Sequence, residues 1–167
     1  MEYNPYALTG KTILVTGASS GIGRAVAIEC SRLGAHVILS ARNKEKLEET
    51  LKMMEGHGHQ VIECDLSKEK EVSLLIDEVP EIQGLVNNAG TTMTVPVPFI
   101  KFNVLSDLLK VNTIAPIMIL SGLVKKKKLR ANSSVVFTSS VSGLGRVSPG
   151  NTMYAATKGA VSTFVMG

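Results

Sequence analysis

Apolar residues in this chain fall into short blocks separated by stretches of helical period. Thr12-Ile13-Leu14-Val15, Val37-Ile38-Leu39 and Val135-Val136-Phe137 are short runs of consecutive apolar positions. With Gln60–Glu63 and Gly84–Asn87 they predict five short strands, over Lys11–Thr16, His36–Ser40, Gln60–Glu63, Gly84–Asn87 and Ser134–Thr138. Between them the period changes to 3.6. Gly21–Leu33 puts Ile22, Val26 and Cys30 on one face, with Leu33 after them, and Gly34 stops it. Lys44–Met54 is charged and amphipathic and closes in Gly56-His57-Gly58. Lys68–Val79 follows Ser67, a residue suited to cap it. A long helix is predicted from about Asn103 to Lys127, bent near Pro116, and a last one from Thr152. Strands alternating with helices predict an α/β domain, a doubly wound parallel sheet in three α/β/α layers, over residues 1–167 with Met1–Gly10 as a lead-in.

The first turn of this pattern carries chemistry. Thr16-Gly17-Ala18-Ser19-Ser20-Gly21-Ile22-Gly23 joins the first strand to the first helix. Glycines between a strand and a helix are the setting of a Rossmann-type dinucleotide loop. Gly17 permits a tight turn, Gly21 a close approach to a diphosphate, and Gly23 close packing of the helix. The free N–H groups of the helix start then face the phosphates. The spacing is Gly-x-x-x-Gly-x-Gly, distinct from Gly-x-Gly-x-x-Gly.

Composition changes the picture little. The chain has 167 residues, 44% apolar and 19% charged, enough for one core. Lysine and arginine exceed the acids by 18 to 14, a mild excess that does not imply nucleic acid. The run Lys125–Lys128 with Arg130 reads as a solvated helix end whose charges oppose the dipole. Cys30 and Cys64 have neither metal nor redox spacing and fit a reducing, cytoplasmic setting. His57 and His59 read as a solvated turn, and no metal site is expected. The start lacks a basic segment followed by an apolar core, so no signal peptide is expected. Val111–Val124 is short and interrupted by Asn112, Thr113 and Pro116, so no membrane span is expected.

The second strand ends in Ala41-Arg42-Asn43, with no acid to meet a ribose 2′-hydroxyl. The Arg42 guanidinium can instead pair with a 2′-phosphate, which favours NADP over NAD. Asp65-Leu66 follows the third strand, where an adenine edge would rest; a loop or cap role is the plainer alternative for Asp65. Tyr154 and Lys158 are four apart in a helical pattern and share a face. A nearby ammonium favours phenolate, and such a tyrosine can exchange a proton with a carbonyl oxygen or an alcohol. Thr138-Ser139-Ser140 leaves the fifth strand, at the sheet edge where Gly17 and Asn87 also lie.

Together these segments resemble the short-chain dehydrogenase/reductase family from Lys11 to the end of the chain. Thr16–Gly23 is similar to its cofactor loop, and Asn87-Asn88-Ala89-Gly90 to the motif after its fourth strand. The resemblance implies cofactor contacts at Gly17, Ser19, Ser20, Gly21, Ile22, Gly23, Arg42, Asp65, Leu66, Asn88, Ala89, Gly90, Tyr154 and Lys158. It implies a catalytic set of Asn112, Ser140, Tyr154 and Lys158, with Ser142 as the alternative serine. Tyr154 would move the proton, Ser140 polarise the carbonyl, Lys158 favour the phenolate and bind ribose, and Asn112 hold a relay water. The implied function is an NADP(H)-dependent exchange of carbonyl and alcohol on a small molecule, with 3-oxoacyl thioesters as the default substrate. A homodimer or homotetramer is implied as well. The alternative is an NADP(H)-binding module without turnover, or an inactive fragment of such an enzyme.

Members of that family run to roughly 250 residues, so the resemblance covers about two-thirds of one. The chain is therefore expected to be part of a longer protein, with the fifth strand left as an open edge.

Overall fold

The computed structural model describes residues 4–167. Of the expected lead-in Met1–Gly10, the first three residues lie outside the described residues. Five strands form one parallel sheet: β1 (Thr12–Thr16), β2 (His36–Ala41), β3 (Gln60–Glu63), β4 (Ile82–Asn87) and β5 (Leu129–Phe137). Their spatial order is β3-β2-β1-β4-β5. The chain builds outward from β1 to β3, then returns to the other side of β1. That reversal opens a crevice beyond the carboxyl ends of β1 and β4.

Helices α1 (Gly21–Arg32) and α2 (Lys44–Lys52) cover one face of the sheet. The other is covered by α3 (Glu69–Glu78) and α5 (Ala115–Lys125). Alternation along the strands divides the core. Ile13, Val15, Val37 and Leu39 pack towards α1 and α2, while Leu14, Ile38 and Leu85 pack with Leu75, Ile119 and Leu123. Burial on both faces explains why these strands read as unbroken apolar runs. At the far edge β5 pairs with β4 alone, and Val135 and Val136 are exposed, which is the open edge expected.

Boundaries differ where polar groups compete. β4 and β5 begin earlier than expected, because Ile82 pairs with Leu129 before the register shifts. Arg130–Ser133 bulges out there, with Asn132 at φ +64° and the Ser133 hydroxyl donating to the Ile82 and Arg130 carbonyls. Ser67 does not cap α3. Its hydroxyl donates to Asp65 Oδ1 at 2.8 Å, and α3 starts one residue later, after Lys68. His59 is not simply solvated. Its Nδ1 accepts the Val37 N–H at 3.1 Å and its Nε2 lies 2.8 Å from the Glu55 carbonyl, so the ring completes the start of β2.

The long helical region is α4 (Phe102–Leu109), a π turn (Lys110–Ile114) and α5. The irregularity falls just before Pro116 and not at it. Pro116 has no N–H for the Asn112 carbonyl, and the wider turn lets the Ala115 N–H reach Lys110 instead. At 24 residues, Phe102–Lys125 matches the expected long helix and extends well before the apolar stretch Val111–Val124, and by length and composition it could cross a membrane. Here it packs as a core helix, with Ala115, Ile119 and Leu123 buried against the sheet.

The basic run has a more specific role than opposing the dipole of its own helix. Lys128 Nζ donates to the carbonyls of Ile76, Asp77 and Val79, at 2.9, 2.6 and 2.6 Å. Lys126 pairs with Asp77, and Arg130 with Glu81. The lysines therefore close the carboxyl end of α3, where no basic residue of its own is present. Lys128→Met should lower unfolding free energy by about 1.5–3 kcal/mol, the scale of charged hydrogen bonds. Lys125→Met, at an exposed position, should change it by less than about 0.5 kcal/mol. Urea titration of the two variants checks the difference.

Candidate functional site

The crevice at the reversal of strand order begins with the glycine turn. Gly17 and Gly21 take φ of +70° and +55°, which side chains rarely adopt. A Cβ on Gly17 would meet the Ala89 Cα at 2.8 Å, and one on Gly23 would meet the Gly17 carbonyl oxygen at 2.2 Å. Gly21 faces open space. Gly17 and Gly23 thus serve the tight turn and the close packing that the sequence predicts, and Gly21 leaves the space around it open. Thr16 joins the turn to the loop after β4, its hydroxyl accepting the Asn88 and Ala89 N–H groups at 3.1 and 3.2 Å. Asn88 in turn donates to the Thr16 carbonyl and accepts from the Thr138 hydroxyl, so β1, β4 and β5 meet at one side chain.

A second brace was not legible in the sequence. Arg24 Nη2 donates to the Ser19 carbonyl at 2.6 Å, and its Nε to Thr50 Oγ1 at 3.0 Å. The buried Thr50 hydroxyl lies 3.0 Å from the Ala18 carbonyl. The only available signal was a threonine beside Leu47 and Leu51 on the inner stripe of α2.

A cleft of about 290 Å³ lies over this turn. Gly17, Ser19, Ser20, Arg42, Asp65, Leu66, Asn88, Ala89 and Gly90 line it, as do Cys64 and Thr91. It continues past Arg42, Asp65 and Thr91 into a second cavity of about 340 Å³ against α4. Gly21, Ile22 and Gly23 lie outside its lining, and the Ile22 side chain is exposed at the helix start. Glycines that a Cβ would block, free N–H groups at a helix start and a cationic rim make a chemical fit to a dinucleotide diphosphate.

Charge at the rim is uneven. Arg42 is exposed and forms no ion pair among the described residues. Burial pushes the Asp65 carboxyl up, but two hydrogen bonds from Ser67, together with Lys68 and Arg42, hold it below its ordinary value. The Cys64 thiol is pushed up to about 12 by burial, with Glu71 and Asp65 adding to the effect, so it is an inert part of the wall.

Gly90 connects the cleft to the expected reactive set. A Cβ placed on it would lie 3.4 Å from both Asn112 Oδ1 and Lys158 Nζ. Lys158, on α6 (Thr152–Phe164), is buried and donates to the Thr138 carbonyl at 2.6 Å. Burial holds its ammonium below the ordinary lysine value. Asn112 sits in the π turn, its amide bonded to the backbone of Thr91 and to Thr157. Tyr154 lies one turn before Lys158 on α6.

The serines separate by their partners. Ser139 is committed to α6 through the Lys158 carbonyl and the Ser162 hydroxyl. Ser140 accepts the Ser142 N–H at 3.2 Å, which leaves its own proton available.

A family model described as short chain dehydrogenase matches residues 11–167. The chain is 34% identical over 151 residues to a 3-oxoacyl-(acyl-carrier-protein) reductase of Rickettsia felis, covering 90% of this chain and 62% of that protein. It is 35% identical over 169 residues to 3-ketodihydrosphingosine reductase of Mus musculus, covering 94% of this chain and 50% of that protein. A solved short chain dehydrogenase from Escherichia coli CFT073, complexed with NADPH, matches at TM-score 0.86 and 32% identity. That match covers 97% of this chain and 71% of the other. The chain therefore spans half to two-thirds of the length of these curated relatives.

The burial of Lys158 has a measurable sign. Unfolded, the lysine keeps its proton up to 10.5; folded, it loses the proton at lower pH. Between those two values the unfolded state binds more protons, so stability rises with pH. The stability of the natural chain relative to Lys158→Met should therefore increase as pH is raised towards 10.5. Urea midpoints of both proteins across the alkaline range test this, and a difference that stays flat contradicts it.

Proposed function

Because the chain belongs to the short chain dehydrogenase family, we propose that it serves an NADP(H)-dependent oxidoreductase interconverting a carbonyl and an alcohol. The observation that supports this reading is Gly90, which lines the cleft and also lies beside Asn112 and Lys158, each 3.4 Å from the place a Cβ would take. The nicotinamide, when bound, supplies the hydride. Gly17, Ser19, Ser20, Asn88, Ala89 and Gly90 hold the dinucleotide in the cleft, while Gly21, Ile22 and Gly23 form the helix start beside the diphosphate. Asp65 and Leu66 border the adenine end. The unpaired guanidinium of Arg42 favours a 2′-phosphate over a bare ribose, hence NADP.

At the reacting end Tyr154 gives its proton to the carbonyl oxygen, or takes it from the alcohol in reverse. Ser140 donates a hydrogen bond to the same oxygen. Lys158 stabilises the phenolate by its charge and bonds the ribose hydroxyls, exchanging for them the contact it has with the Thr138 carbonyl. Asn112 serves a relay water through its main-chain carbonyl. Its side chain is already taken by Thr91 and Thr157, and Pro116 sends that carbonyl no N–H at the usual spacing. The name of the Rickettsia felis relative makes 3-oxoacyl thioesters the first substrates to try. Exposed Ile114 and Met118, one turn apart, fit a homodimer or homotetramer, and two free cysteines fit a reducing, cytoplasmic compartment.

NADPH consumption with a panel of 3-oxoacyl thioesters and simple ketones tests the reading. Tyr154→Phe should lower kcat by at least about 100-fold while NADPH affinity stays within about twofold. A Phe variant with full activity would refute the mechanism. NADPH binding without turnover of any carbonyl would favour a binding module.

A further inference from the structure

Asn112 and Thr113, in the middle of the π turn, both reach the same residue of α6. Asn112 Nδ2 donates to Thr157 Oγ1 at 3.0 Å, and Thr113 Oγ1 donates to the Thr157 carbonyl at 3.1 Å. Thr157 is wholly buried, and its hydroxyl donates to the Tyr154 carbonyl at 2.7 Å. The other bonds of the Asn112 amide fix which way it points. Oδ1 accepts the Thr91 N–H and Nδ2 donates to the Thr91 carbonyl, both at 2.8 Å. A reversed amide would set oxygen against oxygen and N–H against N–H. Thr91 directly follows Gly90, the residue that borders Lys158.

From these contacts we infer that Thr157 is a positioning residue for the reaction proposed above: its hydroxyl holds the Asn112 amide against the helical turn that carries Tyr154 and Lys158. The inference rests on that reading of the reaction. The role needs one small group that accepts and donates at once, and a hydroxyl does both. The β-branch of threonine restricts χ1, so the hydroxyl stays aimed between the two helices. Burial leaves no water to replace it, and the same dry surroundings hold the neighbouring Lys158 below its ordinary value. Without the hydroxyl, the Asn112 amide loses its bond to the Tyr154–Lys158 turn, only the Thr113 hydroxyl still joins the π turn to Thr157, and the relay group shifts relative to the lysine.

Thr157→Val keeps the shape and removes the hydroxyl, while Thr157→Ser keeps the hydroxyl. Each is assayed with NADPH and the ketone that the natural protein turns over best. The Val variant should lose about tenfold or more in kcat, with KM for both substrates within about twofold and a pH–rate profile displaced from that of the natural protein. The Ser variant should recover most of the rate. A Val variant with the natural kcat and profile, or a Ser variant as slow as Val, overturns the inference. Hydrogen exchange of the Asn112 side-chain amide, followed by NMR, decides it independently of turnover. The amide should exchange slowly in the natural protein and faster in the Val variant. Fast exchange in the natural protein overturns the inference even if the Val variant fails to fold. If the natural protein turns over no ketone, the reaction reading fails, and the exchange result still decides whether Thr157 holds the amide.

Discussion

The hydroxyl of Thr16 is the constraint on which the site depends. It accepts two backbone N–H groups from the turn after β4 and lies 3.4 Å from the Val86 carbonyl. Two parallel strands whose chains leave in different directions are held together at their carboxyl ends by that side chain, together with the Asn88 amide. The approach is close enough that Gly17 and Gly23 can carry no Cβ without meeting backbone. The crevice over the turn is what remains when two chain segments diverge from a tight junction. A bulkier turn would separate β1 from β4 and displace every lining residue that follows them.

The second constraint is the break in the long helix. Pro116 denies an N–H to Asn112, and the chain answers with a π turn rather than a sharp kink. That turn puts Asn112 and Thr113 on α6, and α6 presents Lys158 to the end of β5. The cleft over the glycine turn depends on β1 and β4, and the set proposed to be reactive depends on the broken helix and α6. Gly90 lies where the two meet, with Asn112 Oδ1 and Lys158 Nζ each 3.4 Å from the place a Cβ would take.

Much of this was legible in the sequence, for identifiable reasons. Strands buried on both faces leave unbroken apolar runs, so β1 and β2 could be read directly. Gly17 and Gly23 could be assigned their roles because each excludes a side chain, and Gly21 because its positive φ disfavours one. What was missed depends on partners distant in sequence. Lys128 reads as one of four lysines until α3 is seen to end beneath it, 49 to 52 residues earlier in the chain. Ser67 has the right residue type for a cap, yet Asp65 takes its hydroxyl. His59 gives no sign in the sequence that its ring will accept a strand N–H. Thr157 stands within Tyr-x-x-x-Lys as an unremarked position, since nothing local tells that Asn112, 45 residues earlier, will bond to it.

In the function proposed above, the crevice between β1 and β4 holds a dinucleotide whose 2′-phosphate meets Arg42. Calorimetric titration of the chain with NADPH and, separately, NADH tests it most directly. One site per chain is expected, with NADPH bound at least about tenfold more tightly than NADH, a difference of about 1.4 kcal/mol. Absence of binding by both nucleotides, or tighter binding of NADH, would contradict it.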